Sequence, residues 1–426
     1  VSKHLLFSVL GPLLGLFIIS LGNGFISSIT SLKLDAEGTS DVMIGFVSSC
    51  YFIGLALGAI FSDRLILRIG HIRAYSGFAS LTAITFLLQG LYFDPWFWAC
   101  LRLVNGWAII GIFLIVESWL LLSSDQKMRG RLLAIYMIAF YGSGMFGQIS
   151  LGIMSEWDEM IPFVLAGILG SLSVLPMVIL PRISPEIKEV RPLGIKALFD
   201  MSPTGVMACF VSGITIAAVY ALFPIYFQRM GLNIHQVGQL MACVILGAMV
   251  LQYPIGRWSD HQDRQVVLIS LSIFCAVLTL GILFFPATHL LLMVLFFLIG
   301  GGIFAVYPVA VSHATDRATI EQLIPSIQGL LLINSIGSVF SPFAISALMS
   351  VMGNKGLFWV FFVINIALAI FLMNRRQIRP APEPVAPFVT ATQMSPIGAE
   401  IRITEQLEQA TIQQREANTD ESNTKS

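Results

Sequence analysis

The chain has 426 residues, 56% of them apolar and only 11% charged, with 24 basic and 24 acidic side chains giving a formal net charge of zero. A soluble globular domain carries roughly 25% charged residues, so this composition excludes one, and it offers no basic surplus to hold a nucleic acid. What remains is a chain that crosses a membrane many times.

Stretches of about 20 apolar residues, long enough to cross a hydrocarbon core, recur twelve times. They fall near residues 5–29, 42–62, 74–93, 97–122, 131–155, 161–181, 204–227, 237–257, 266–286, 290–313, 322–350 and 357–374. The first has the apolar core of a signal peptide but no small-residue cleavage site followed by a polar region, so it reads as span 1. Between spans 6 and 7, "RISPEIKEVRPLGIKALFDMSP" is polar and proline-punctuated, a linker with one short amphipathic helix. Beyond Arg379, "PAPEPVAP" opens a Gln-, Glu-, Thr- and Asn-rich tail expected to be disordered.

Basic residues set the orientation. Counted to Arg379, the loops on the side of the two chain ends hold seventeen Lys and Arg, against three (Lys33, Arg229 and Lys355) on the opposite side. That bias predicts cytoplasmic termini. The opposite loops are acidic, as in "LDAEGTSD" and "SEWDEM".

A weak repeat divides the chain. Gly22 and Gly213, Gly111 and Gly302, and Arg73 and Arg264 are each 191 residues apart, an offset that lays span 1 on span 7. The expected organisation is therefore an all-α polytopic membrane protein of two pseudo-symmetric six-helix bundles. The bundles are residues 1–181 and 204–376, joined by the linker 182–203 and followed by the tail 377–426.

Two charged patches punctuate the repeat. "GRWSDHQDR" (Gly256–Arg264) follows span 8, and "GAIFSDRLILRIGHIR", with Asp63, Arg68, Gly70 and Arg73, follows span 2. Two six-helix halves, a central linker and these patches resemble the major facilitator superfamily, whose loop signature pairs a Gly with a downstream Asp and Arg. Gly256, Asp260 and Arg264 fit it, whereas Asp63 and Arg64 stand one helical turn early for Gly70 and Arg73. Arg102, Gly106 and Gly111 match the arginine-and-glycine pattern of the superfamily's fourth helix. Glu117-Ser118-Trp119 and Arg129-Gly130-Arg131 are similar to those of the YcaD-like subgroup. The Gly-Pro of drug antiporters is absent from span 5, which has Gly147-Gln148 instead.

The resemblance implies a secondary transporter working by alternating access, with the patches as a latch between moving halves that closes the cytoplasmic side. The plainer reading is that these charges mark loop ends. Latch candidates are Asp63, Arg68, Arg73, Glu117, Asp260 and Arg264. Only Arg102 and Glu117 lie well inside spans; fifteen residues put them roughly 22 Å apart along one helix, too far to pair. Buried charges default to functional candidates. Glu117 is expected to meet Arg68 or Arg73, or else to carry a proton. Arg102 would bind an anionic group, tune a proton site through its field, or hold a neighbour's carbonyls.

Candidates for the substrate path, from the family's pore-lining helices, are Asn23, Arg102, Asn105, Trp107, Tyr141, Gln148, Tyr220, Tyr253, Tyr307 and Asn334. For each aromatic, plain packing is the competing reading. Neutral hydrogen-bonding groups with aromatics suit an uncharged or amphipathic small molecule. Tyr307-Pro308 after Gly300–Gly302 predicts a flexible, kinked segment of span 10. No acid stands at the midplane, which leaves proton coupling and uncoupled facilitation both open. A transporter-like receptor or a lipid-handling protein is the other alternative.

An enzyme is not expected, because all six histidines lie at span ends or in loops. No Gly-rich nucleotide-binding loop is present, and no metal-ligand spacing links the five cysteines. The expected partners are a small-molecule substrate and the lipid bilayer, with a proton as the one possible coupling ion, and the expected form is a monomer in the bacterial inner membrane.

Overall fold

A computed structural model describes residues 3–122, 126–154, 158–179, 193–284, 288–319 and 322–378. Most of the predicted linker, the tail, and the side chains of Arg129 and Arg131 lie outside the described residues.

The described chain is helical. The first half comprises α1 (Lys3–Ala36), α2 (Asp41–Ile69), α3 (His71–Leu91), α4 (Pro95–Leu122), α5 (Gln126–Met154), α6 (Ile161–Leu172) and α7 (Val174–Val178). The linker contributes α8 (Ile195–Met201). The second half comprises α9 (Pro203–Arg229), α10 (Ile234–His261), α11 (Arg264–Phe284), α12 (His289–Thr315), α13 (Leu323–Met352) and α14 (Gly356–Ile378). Twelve spans are long and apolar enough to cross a membrane, α6 and α7 together forming the sixth. Several run past the apolar stretch: α1 reaches Ala36 and α5 begins at Gln126. A helix closes its own backbone hydrogen bonds whether lipid or water surrounds it, so apolarity alone does not mark where it ends.

Local chemistry sets many of the ends. Ser40 caps α2, Thr288 caps α12, and Asn233 with Gln236 forms a reciprocal capping box at α10. Ser202 caps α9 with Pro203 as its first residue. The turns before α2 and α10 each place a glycine at positive φ, Gly38 (72°) and Gly231 (87°). Each glycine stands two residues ahead of the cap, Ser40 or Asn233. Both pairs are 193 apart in number, so the two halves repeat the same turn and cap.

The helices form two bundles of six. In the first, α2 packs on α4, α1 on α5 and α3 on α6; in the second, α10 packs on α12, α9 on α13 and α11 on α14. Between the bundles α2 meets α13, α5 meets α10 and α1 meets α9. The start of α1 and the end of α14 lie on one side, called here the terminal face; the opposite side is the far face.

Span 10 shows what its glycines do: α12 is continuous through Gly300–Gly302, with Pro308 inside it, and these glycines serve close packing. A Cβ on Gly300 would stand 2.0 Å from the Val244 carbonyl oxygen, and one on Gly247 of α10 would stand 1.8 Å from that of Phe297. In a membrane, where lipid removes most of the hydrophobic drive between helices, small residues that let backbones touch are a main source of association.

Candidate functional site: a central cavity beneath a closed far face

A cavity of about 40 Å³ lies between the bundles at mid-depth. Ser20, Asn23 and Ser27 of α1, Tyr51 and Phe52 of α2, Phe113 of α4, and Phe140 and Tyr141 of α5 line its first-half wall. Tyr220 of α9 and Ile245 of α10 line the other. The Phe304 ring, from α12, stands nearly perpendicular to those of Tyr141 and Tyr220, with ring centroids 6.1 Å and 5.9 Å apart, so one aromatic cluster spans both halves. None of the lining side chains bears a formal charge. The volume admits a few waters; a metabolite, which occupies pockets of roughly 300–1,000 Å³, requires the halves to part.

Three of the ten predicted substrate-path residues, Asn23, Tyr141 and Tyr220, line this cavity. The others are placed elsewhere, for identifiable reasons. Asn105 donates to Thr85 of α3 at 3.3 Å. Trp107 packs edge-on against Phe78 of α3 and beside Gly54 and Gly58 of α2. Gln148 donates to the Gly24 carbonyl (2.8 Å) and accepts from Ser28 (2.9 Å), pinning α5 to α1. Asn334 likewise ties α13 to the Cys209 carbonyl of α9, at 3.0 Å. Tyr307 is buried in the second-half core, and Tyr253 is 70% exposed. Each tie satisfies a polar group that would be costly to leave bare in an apolar bundle.

Arg102 stands behind the cavity wall. Its guanidinium carbon lies 4.6 Å over the Tyr51 ring, and the Tyr51 hydroxyl accepts from Asn23 Nδ2 at 3.1 Å. The residue is 4% exposed, and its Nε and Nη1 have no hydrogen-bond partner among the described residues. The cation is thus held by an aromatic face that itself lines the cavity. Tyr51 carries no charge, and nothing in the sequence distinguished it from the other span tyrosines.

Glu117 differs from expectation. Its Oε1 accepts a hydrogen bond from Tyr136 of α5 at 2.5 Å, whereas Arg68 and Arg73 are exposed and have no ion pair among the described residues. A carboxylate at this depth is better met by a phenol on a packed neighbour than by arginines at a helix end. Ser118 bonds His71 Nε2 at 3.1 Å, and Trp119 meets the same ring edge-on. The Glu-Ser-Trp triplet therefore joins α4 to both α3 and α5.

In the second half, Arg264 pairs with Asp316 at the end of α12 (3.1 Å) and more loosely with Asp260 (3.8 Å). The expected cross-half reach of Asp260 and Arg264 is not among the contacts described for this conformation. Asp316 went unnoticed in the sequence because it lies 52 residues from Arg264, at the end of another span. Asp63 is half-buried and engaged.

The polar ties described between the halves lie toward the far face. Arg229, at the end of α9, donates from Nη2 to Asp35 of α1 and to Asp41 of α2, each at 2.5 Å, and from Nε to Asp35 at 3.2 Å. The Phe343 amide of α13 donates to Ser49 of α2 at 3.2 Å. Gly45 of α2 abuts the Pro342 carbonyl, where a Cβ would stand 2.5 Å away. Lys33, Glu37 and Glu159 form a further ion-pair cluster on the same face, within the first half. The sequence signal for the Arg229 clasp was an acidic far-face loop set against only three basic residues.

Two six-helix bundles closed over a central cavity at one face define a membrane carrier. The sequence profile of the Major Facilitator Superfamily matches residues 12–321 and 205–403, and the chain belongs to that family. It is 30% identical to the uncharacterized MFS-type transporter YcaD of Escherichia fergusonii over 376 residues, 87% of this chain and 96% of the relative. It is also 30% identical to the uncharacterized MFS-type transporter Ent638_1421 of Enterobacter sp. (strain 638), over 89% and 98% of the two chains. Solved structures with the same fold include the nucleoside transporter NupG, with TM-score 0.71, 14% identity, and 88% of this chain and 99% of that one covered. A D-xylose-proton symporter superposes with TM-score 0.68 at 13% identity, over 89% and 98%.

Proposed function

We propose that this protein is a secondary transporter that carries a small uncharged or amphipathic molecule across the bacterial cytoplasmic membrane by alternating access. The cavity carries the reading: it lies between the halves at mid-depth, and hydroxyl, amide and aromatic groups line it without a formal charge. Such a wall gives orientation through a few hydrogen bonds and affinity through apolar contact, and it leaves a multiply charged solute without counter-ions. The two structural neighbours are a nucleoside transporter and a D-xylose-proton symporter, and nucleosides and D-xylose are uncharged polar solutes.

The terminal face is cytoplasmic in this reading, from the excess of basic residues there. The Arg229 clasp then holds the outer side closed. Residues 1–181 and 204–376 move against each other about the linker 182–203. No catalytic step or cofactor is assigned; if the cycle is coupled, a proton is the coupling ion.

A ligand screen by thermal unfolding of the purified protein tests this, since a ligand that binds the folded state raises its melting temperature. Nucleosides, pentoses and aromatic amphiphiles are the first classes to try. A stabilising hit is expected to lose its effect in Tyr141→Ala and Asn23→Ala. Stabilisation confined to multiply charged anions, or untouched by both variants, would refute the assignment.

A further inference from the structure

Arg102 is the charge that transport of a neutral molecule leaves without a purpose. It is 4% exposed within a span, its Nε and Nη1 have no hydrogen-bond partner, and it makes no ion pair among the described residues. Glu117 and Arg264, buried as deeply, are matched, one by the Tyr136 phenol and the other by Asp316. A guanidinium stays ionised, and a bare cation in an apolar bundle is costly. What faces it is the Tyr51 ring, its centroid 4.6 Å from the guanidinium carbon, and Tyr51 lines the central cavity.

The cavity is equipped to meet an acceptor. The Tyr51 oxygen takes a hydrogen bond from Asn23 Nδ2 at 3.1 Å, and the hydroxyl's own proton has no acceptor among the described residues. Ser20, Ser27, Tyr141 and Tyr220 bring further hydroxyls to the same cavity, and no carboxylate lines it. A cation over the ring face draws electron density from the phenol, which strengthens the O–H as a donor. The charge of Arg102 also acts on the cavity directly, with no described carboxylate to cancel it. At an effective dielectric well below that of water, a unit charge one ring behind the wall favours an anion over a neutral molecule of the same shape by ~10-fold. Phe113, Phe140 and the cluster of Tyr141, Phe304 and Tyr220 supply aromatic surface for the rest of the solute.

We propose that the transported molecule is an amphipathic monoanion, an aromatic body bearing one carboxylate, and that Arg102 sets this charge preference through Tyr51 without touching the solute. The proposal rests on the central cavity being the transport site. One cation answers one anionic charge, so a dicarboxylate is left with a charge unmatched and is disfavoured.

The test reads the melting temperature of the purified full chain in neutral detergent against probes that differ in charge on one scaffold: phenylacetate, phenylacetamide and phenethylamine, and the matching indole-3-acetate, indole-3-acetamide and tryptamine. Each carboxylate is expected to reach its half-maximal shift at a concentration ~10-fold below that of its amide, and the amines to give none. Arg102→Gln is expected to bring the carboxylate and amide of each pair level. Arg102→Lys, which keeps the charge, is expected to retain the preference. The ratio in the parent chain decides by itself, so the test does not depend on Arg102→Gln folding. Amides that bind as well as carboxylates and lose their effect in Tyr141→Ala would overturn the proposal and leave the cavity as the transport site. Carboxylate binding untouched by Tyr141→Ala would overturn both. The proposal is also overturned if neither carboxylate shifts the melting temperature, or if Arg102→Gln keeps the parent's preference.

Discussion

Replacing Arg229 by Gln keeps the length of the side chain and removes the charge that joins α9 to α1 and α2. Arg229 is 28% exposed, and its carboxylate partners Asp35 and Asp41 are 17% and 18% exposed, so the clasp is half-shielded from water. An exposed ion pair contributes roughly 0.2–1 kcal/mol, and a forked guanidinium shared by two carboxylates sits at the upper end of that range for each. The clasp is therefore worth about 1–2 kcal/mol to the closed far face, and without it Asp35 and Asp41 are left as neighbouring like charges. That loss shifts the balance between closed and open far faces by about 5–30-fold. Spin labels at Tyr92 and Met352, exposed far-face positions in the first and second halves, report the shift as a distance distribution. The background must have its five cysteines replaced. Arg229→Gln is expected to add or enlarge a longer-distance population, and high salt to produce part of the same change in the parent by screening. Identical distributions in parent and variant would refute the clasp.

Glu117→Gln and Tyr136→Phe both weaken the 2.5 Å bond between α4 and α5 and are expected to change accumulation and exchange together in reconstituted vesicles, once a substrate is in hand. Loss of proton-driven accumulation alone in Glu117→Gln, with exchange intact, would instead make Glu117 the proton carrier. Arg102→Gln removes a buried cation that no described carboxylate offsets, so the melting temperature should hold or rise while transport falls; a steep drop in melting temperature would make Arg102 a structural residue. Gly247→Ala drives a methyl against the Phe297 carbonyl and should cost about 1–3 kcal/mol, read as a lower melting temperature. Gly77→Ala, with nothing within 4 Å of the added methyl, should leave it unchanged or slightly higher.

Of the cavity wall, Asn23, Tyr141 and Tyr220 were legible through the pore-lining helices of the family the sequence resembles, and two further residues were legible through chemistry out of place. Arg102 and Glu117 stood out because a charge in an apolar span needs a reason, and the structure gives each a partner, an aromatic face for one and a phenol for the other. Tyr51, Phe113 and Phe140 line the cavity unannounced, because a ring facing a cavity and a ring packed in a core look the same in a span rich in both. Asn105, Gln148 and Asn334 were named as substrate groups and turned out to be ties between helices. An amide satisfied by a neighbour's backbone and one turned toward a solute carry the same sequence signal.

Twelve apolar stretches, their loops and a faint internal repeat were enough to determine the class of this protein, since the bilayer sets span length and forces each segment to satisfy its own backbone. Charge at the helix ends marked the places where something must hold or move. Only the tertiary structure decided which charges meet. Arg229 reaches Asp35 and Asp41 across nearly two hundred residues, and Arg264 turns to Asp316 within its own half. Such pairings depend on which helices cross and at what depth, and those are set by where glycines let two backbones touch, as at Gly247 and Gly300. A single span contains its own period and polarity; it does not contain its neighbour.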